Sequence, residues 1–138
     1  MNKTIGSIVW PNNVSDAVGL LLRFMLTVIG QLGISFESSI YDPAAVVGGL
    51  LSGRLSQDDR RAALAHWWKV VDEKGIRDLH SADVLIARLA ICLLSPSDEE
   101  AWSLSDQLSW FLEVLGLLGA DVDKAIAVME ESFDFVSG

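Results

Sequence analysis

The stretch from Ser97 to Gly119 constrains the fold more than any other part of the chain. Ala101, Leu104, Leu108, Phe111, Leu112, Leu115 and Leu118 recur there at intervals of three and four. Side chains at that spacing lie above one another on a 3.6-residue turn, so they trace one stripe of a helix. Both ends are punctuated. Ser97–Asp98–Glu99–Glu100 is a capping box, in which the serine accepts from a free amide and the acidic residue three positions on reaches back. Gly119 supplies the left-handed residue on which such a helix stops. The predicted helix runs from Asp98 to Leu118.

The same grammar predicts five further helices and no convincing strand. After the Pro11–Asn13 turn, Ser15–Leu32 carries a narrow polar stripe of Asp16, Arg23, Thr27 and Gln31 and is apolar elsewhere. A helix apolar around most of its circumference sits at the centre of a bundle, so this first helix is expected to be mostly buried. Gly33–Tyr41 reads as a loop. Asp42 caps a second helix, with Pro43 at the first position, where the missing N–H costs nothing. Gly48 and Gly49 weaken it, so that Gly48–Arg54 reads as a fraying end; it is expected to run to about Leu51, with Gly53 as its stop. Ser56, Asp58 and Asp59 open a third helix that runs to Lys74, with Gly75 as its stop and Leu64, Trp67, Trp68 and Val71 inward. Adjacent Trp67 and Trp68 point about 100° apart, so both face inward only if the helix is broadly covered, and otherwise one of them is partly exposed. Ser81–Ala82–Asp83 starts a fourth, mostly buried helix ending near Leu94. Asp121 caps a sixth, from Val122 to about Asp134, with Val122, Ala125, Ile126, Met129 and Phe133 inward. The expected fold is all-α: a single compact bundle of about six helices over residues 1–138, with residues 1–13 partly irregular.

Length supports this. A domain of 138 residues buries about two-thirds of its unfolded surface and needs no disulfide or metal staple. With 51% hydrophobic residues the chain is too apolar to be disordered. The lone Cys92 excludes an internal disulfide, and the first residues lack the pattern of a secretory signal, so a cytoplasmic location is expected. The apolar run Val14–Ile34 contains Asp16, Arg23 and Gln31 and falls short of about 20 uninterrupted apolar residues. It reads as a core helix, not a membrane span.

Net charge is −9, unevenly placed. Residues 1–69 carry +1 and residues 70–138 carry −10. From Leu93 onward one base, Lys124, faces ten carboxylates. Direct nucleic-acid binding is disfavoured, because phosphate contacts need a basic patch. The acidity either keeps an apolar domain in solution or steers a basic protein towards it.

Groups for chemistry are few. Catalysis needs a nucleophile, base or metal held by partners. His66 lies at the edge of the third helix's apolar stripe and His80 reads as a loop residue. Cys92 sits between Ile91 and Leu93, where an apolar setting makes a thiol inert. No Cys-x-x-Cys, His-Glu-x-x-His or Glu-x-x-His spacing is present. Asp121-x-Asp123 begins like a calcium loop, but Ala125, Ile126 and Ser132 occupy positions that need ligands or glycine. Gly48–Arg54 has glycines without the Lys-Ser/Thr of a phosphate loop. The expectation is a non-enzymatic chain without metal or cofactor.

The interaction signal is stronger. Opposite Leu108 and Leu112, the fifth helix carries Glu99, Ser103, Asp106, Gln107, Trp110, Glu113, Val114 and Leu117. A solvated face has no need of Trp110, Val114 and Leu117, so another helix covers that side or a partner does. Tryptophan among carboxylates suits a partner bearing Lys and Arg. On the sixth helix Asp123, Glu130, Glu131 and Asp134 share the outside with Val128. Candidate partner-binding residues are Glu99, Asp106, Trp110, Glu113, Asp123, Glu130, Glu131 and Asp134. In size, acidity and lack of catalytic motifs the chain resembles, as a class, the bacterial immunity proteins that neutralise toxins. That resemblance rests on no particular residue. It implies an inhibitor that occludes the active surface of a basic, nuclease-like toxin, its carboxylates standing in for phosphates. Two alternatives fit the apolar surplus: a self-associating adaptor bundle, such as a homodimer, and a helical pocket for a small apolar ligand.

Overall fold

The computed structural model describes residues 4–36, 41–74, 81–97 and 104–136. The fold is all-α, with six helices among the described residues: α1 (Val14–Leu32), α2 (Pro43–Ser52), α3 (Gln57–Lys74), α4 (Ala82–Leu94), α5 (Leu104–Leu117) and α6 (Val122–Ser132). Helix starts sit where short polar side chains can take up free amides. Asn13 Oδ1 accepts from Asp16 N at 3.1 Å, and Asp42 Oδ1 from Ala44 N at 3.0 Å. Asp121 Oδ1 accepts from Lys124 N at 3.1 Å. At α3 the capping is reciprocal: Asp59 Oδ2 accepts from Ser56 N at 2.7 Å while Asp59 N donates to Ser56 Oγ at 3.4 Å. The stop at Gly119 has φ 78°, a conformation that only glycine adopts without strain. The capping box expected at residues 97–100 falls mostly outside the described residues, as do Gly75, His80 and Trp102.

α2 does not fray. It continues through both glycines to Ser52, because Leu55 folds back over the buried Gly49 and its N–H donates to Gly49 O at 3.1 Å. A Cβ on Gly49 would lie 2.5 Å from Leu55 Cδ1. The glycine marks a close approach, not a weak point.

The most enclosed helix is α4, not α1. It packs against α2, α3 and α5 and buries ten of its thirteen residues, including every one from Ala87 to Leu94. α1 is partly buried. It packs against α2, α5 and α6, buries eight of nineteen residues and leaves Arg23, Thr27, Gly30 and Gln31 outside. By length and composition alone α1 could cross a membrane, and here its apolar side is turned onto its neighbours. The third helix differs from expectation at one tryptophan. Trp67 is buried and donates from Nε1 to Tyr41 O at 2.8 Å, whereas Trp68 is 42% exposed.

Among the described residues Arg60 is the largest fully buried side chain, and its role was not evident from pattern. Its Nη1 donates to Leu94 O at 2.9 Å and its Nε to Gln57 Oε1 at 2.6 Å. A cation therefore sits on the last carbonyls of α4, where the helix dipole is negative. It ties the start of α3 to the end of α4.

Segments near the two ends of the chain are joined by a strand pair that the helical pattern did not predict. β1 (Ile8–Val9) runs antiparallel to β2 (Asp134–Phe135), with Ile8 opposite Phe135 and Val9 opposite Asp134. Val136 N extends the pairing by donating to Ser7 O at 2.8 Å. Trp10 then stacks edge-on against Phe133 at 5.2 Å and donates from Nε1 to Ser105 Oγ at 3.0 Å. Residues 7–10 are thus held to α5 and to the end of α6.

Candidate functional site

α5 has two kinds of surface, and its register explains them. Gln107, Leu108, Phe111, Val114 and Leu115 are buried. Asp106, Ser109, Glu113 and Leu117 are exposed. At about 100° per residue, Asp106, Glu113 and Leu117 fall within roughly 40° of one another on the outer side. Trp110 stands at the boundary, half-buried, between that side and the one buried with Gln107 and Val114. The face proposed from sequence therefore divides. Gln107 and Val114 belong to the interior, and Asp106 and Glu113 to the outside.

On α6 the exposed residues include Asp123, Glu130 and Glu131. Val128, read from sequence as an outer residue, is buried in the core with Ala125 and Met129. Asp134 is exposed, but α6 ends at Ser132 and Asp134 lies on β2. Glu99 lies outside the described residues. Within residues 104–136 the only base is Lys124, whose Nζ donates to Gln31 O at 3.4 Å. Among the described residues Glu113, Asp123, Glu130, Glu131 and Asp134 form no ion pair; an exposed pair joins Arg61 to Asp58 on α3 instead. On the outer surface of α5, α6 and β2, Glu113, Asp123, Glu130, Glu131 and Asp134 thus carry no paired base among the described residues.

Beside this surface lies a cleft that no sequence motif announced. It has a volume of about 320 Å³ and is lined by Trp68 of α3, by Arg88, Ile91 and Cys92 of α4, by Ser95 just after α4, and by Gln107 and Trp110 of α5. α4 is the floor, and the helices packed on either side of it supply the walls. Almost all of the lining is apolar, although Arg88 and Gln107 contribute to it, because both side chains are buried and turn little polar surface into the space. The only sequence hints were the adjacent tryptophans on α3 and the placing of Trp110 among acids.

Burial pushes the Cys92 thiol far above its ordinary range, the nearby Arg88 charge opposing the shift only in part, so Cys92 is held as the neutral, unreactive thiol. His66 is stacked on Tyr41, with ring centroids 4.8 Å apart. Among the described residues no cluster of three or more His, Cys, Asp or Glu is placed to hold a metal ion. Comparison with known protein families, with curated proteins and with solved structures finds no match to this chain.

Proposed function

We propose that this chain is a non-enzymatic, cytoplasmic protein-binding domain that engages a basic partner through the acidic outer surface of α5 and α6. The observation that carries this reading is the set of exposed carboxylates, Glu113, Asp123, Glu130, Glu131 and Asp134, without an ion pair among the described residues. Such a surface keeps its full field for a partner. It speeds encounter with a positive surface and disfavours acidic competitors. Long-range attraction of this kind is screened over about 10 Å at 0.1 M salt.

The mode of action we propose is occlusion, in the manner of an immunity-type inhibitor. A basic, nuclease-like active surface attracts phosphates, and a rigid array of carboxylates on helices competes for the same cations without offering a bond to cleave. Capture from host lysate at low salt tests this. A basic protein should be retained and should elute as salt is raised, and the bait carrying Glu113→Lys, Glu130→Lys and Glu131→Lys should fail to retain it. Retention of the same proteins by both baits would refute the acidic-face reading.

A further inference from the structure

The cleft over α4 is at the lower end of the size range of ligand pockets, about 300–1,000 Å³, at about 320 Å³. Its walls discriminate against positive charge. A cation entering would lose its water, meet indole, Ile91 and the neutral Cys92 thiol in exchange, and face the buried Arg88 guanidinium. Apolar matter gains by the same exchange, most of all against Trp68, which is 42% exposed and so keeps apolar surface in water until something covers it.

The rim has the opposite character. Asp106 and Glu113 stand four residues before and three after Trp110, on the outer side of α5. Asp72 stands one turn beyond Trp68 on α3 and is exposed. Lys69 is the exposed base nearest Trp68 in sequence, and its position is turned about 100° away from that tryptophan. The cleft is therefore an apolar hollow with Asp72 on its α3 side and Glu113 on its α5 side, and on α5 these carboxylates continue into the proposed partner face.

We infer that this cleft receives an apolar anchor side chain of a protein segment whose flanking Lys or Arg residues meet the rim carboxylates. The inference rests on the reading of α5 and α6 as a partner face and names what the partner must carry: an apolar anchor as well as positive charge. A tryptophan-walled hollow inside a charged border is the arrangement in which a few buried anchors carry most of the binding energy. A second copy of the chain is a poor occupant, because two molecules of net charge −9 would bring like-charged rims together. A small neutral molecule would make no use of the rim.

The test uses the full chain and two synthetic helical peptides, each rich in Lys and Arg. One presents Leu and Trp on one face and the other has Ser at those positions. Fluorescence anisotropy gives both affinities for the wild type, for Trp68→Ala and for Glu113→Lys, with helicity checked by circular dichroism. The anchored peptide is expected to bind the wild type at least tenfold more tightly than its serine counterpart. Trp68→Ala, which alters a half-exposed wall, should reduce that ratio to about twofold and leave the serine peptide's affinity unchanged. Glu113→Lys should weaken both peptides several-fold. A ratio near one in the wild type, or one that Trp68→Ala leaves intact, overturns the cleft inference while the acidic face stands. If the serine peptide neither weakens with Glu113→Lys nor responds to salt, the acidic-face reading itself fails. A salt-insensitive dimer in light scattering that Trp68→Ala dissociates, or a small uncharged aromatic compound that shifts Trp fluorescence without displacing the peptide, would assign the cleft to another occupant and overturn the inference.

Discussion

α4 and α6 are helices of similar length in one bundle, and their surfaces are opposites. α4 has thirteen residues with ten buried, and α6 has eleven with three buried. α4 is enclosed by α2, α3 and α5; α6 packs against α1 and α5 and turns Asp123, Glu130 and Glu131 to solvent. The contrast separates where the fold is held from where it meets other molecules. α5 lies against both, and its Trp110 stands where the two surfaces join.

That separation can be broken by mutation. The largest effect is expected at α4. Leu89 is fully buried, and Leu89→Ala removes apolar contact and leaves a void, a loss of about 2–5 kcal/mol that urea unfolding would measure. A loss below about 1 kcal/mol would show that α4 is not the packed centre described above. Next is Arg60→Ala, which strips the Leu94 carbonyl of its buried donor and should cost about 1–3 kcal/mol. Its neighbour Arg61, exposed and paired with Asp58, makes the control: Arg61→Ala should change stability by less than about 1 kcal/mol.

A smaller effect follows from Cys92. Its thiol is held above the ordinary range when folded and returns to about 8.5 when unfolded. Below the unfolded value both states keep the proton and nothing is lost. Above it the unfolded chain releases a proton that the folded chain retains, so stability falls with rising pH by up to about 1.4 kcal/mol per unit. Thermal unfolding between pH 8 and 10.5 should show a steeper alkaline decline for the wild type than for Cys92→Ala; parallel declines would contradict the buried-thiol assignment. The smallest effect belongs to α6. Glu130→Lys with Glu131→Lys should leave stability within about 0.5 kcal/mol, since neither side chain is packed. A larger destabilisation would make these carboxylates part of the fold rather than of a binding surface.

Helix positions were legible in the sequence wherever a polar cap or a glycine stop marks the chain: Asp42 and Pro43 at α2, Ser56 and Asp59 at α3, Asp121 and Gly119 beside α6 and α5. These are local signals, set by backbone groups within four residues. What covers each helix was not legible, because apolarity shows that a face is covered and not by what. α1 and α4 read alike as apolar helices, and only packing ranks them. Val128 looked external by its place among carboxylates and is core, and Trp68 looked internal and is not. The burial of Arg60 depends on Leu94, thirty-four residues away, and the strand pair joins residues near the two ends of the chain. Neither leaves a periodic trace. Of the candidate site, the acidity of the outer α5–α6 surface was readable from composition alone. The cleft needed three helices to be placed before it existed.

The acidic surface is the central claim, and one measurement bears on it most directly. The affinity of the captured basic partner should be measured by calorimetry at several salt concentrations for the wild type and for the Glu113→Lys, Glu130→Lys, Glu131→Lys variant. The expected result is wild-type binding that weakens steadily with salt, and variant binding at least tenfold weaker at low salt with most of that dependence gone. Equal affinities and equal salt slopes for the two proteins, both folded, would contradict it.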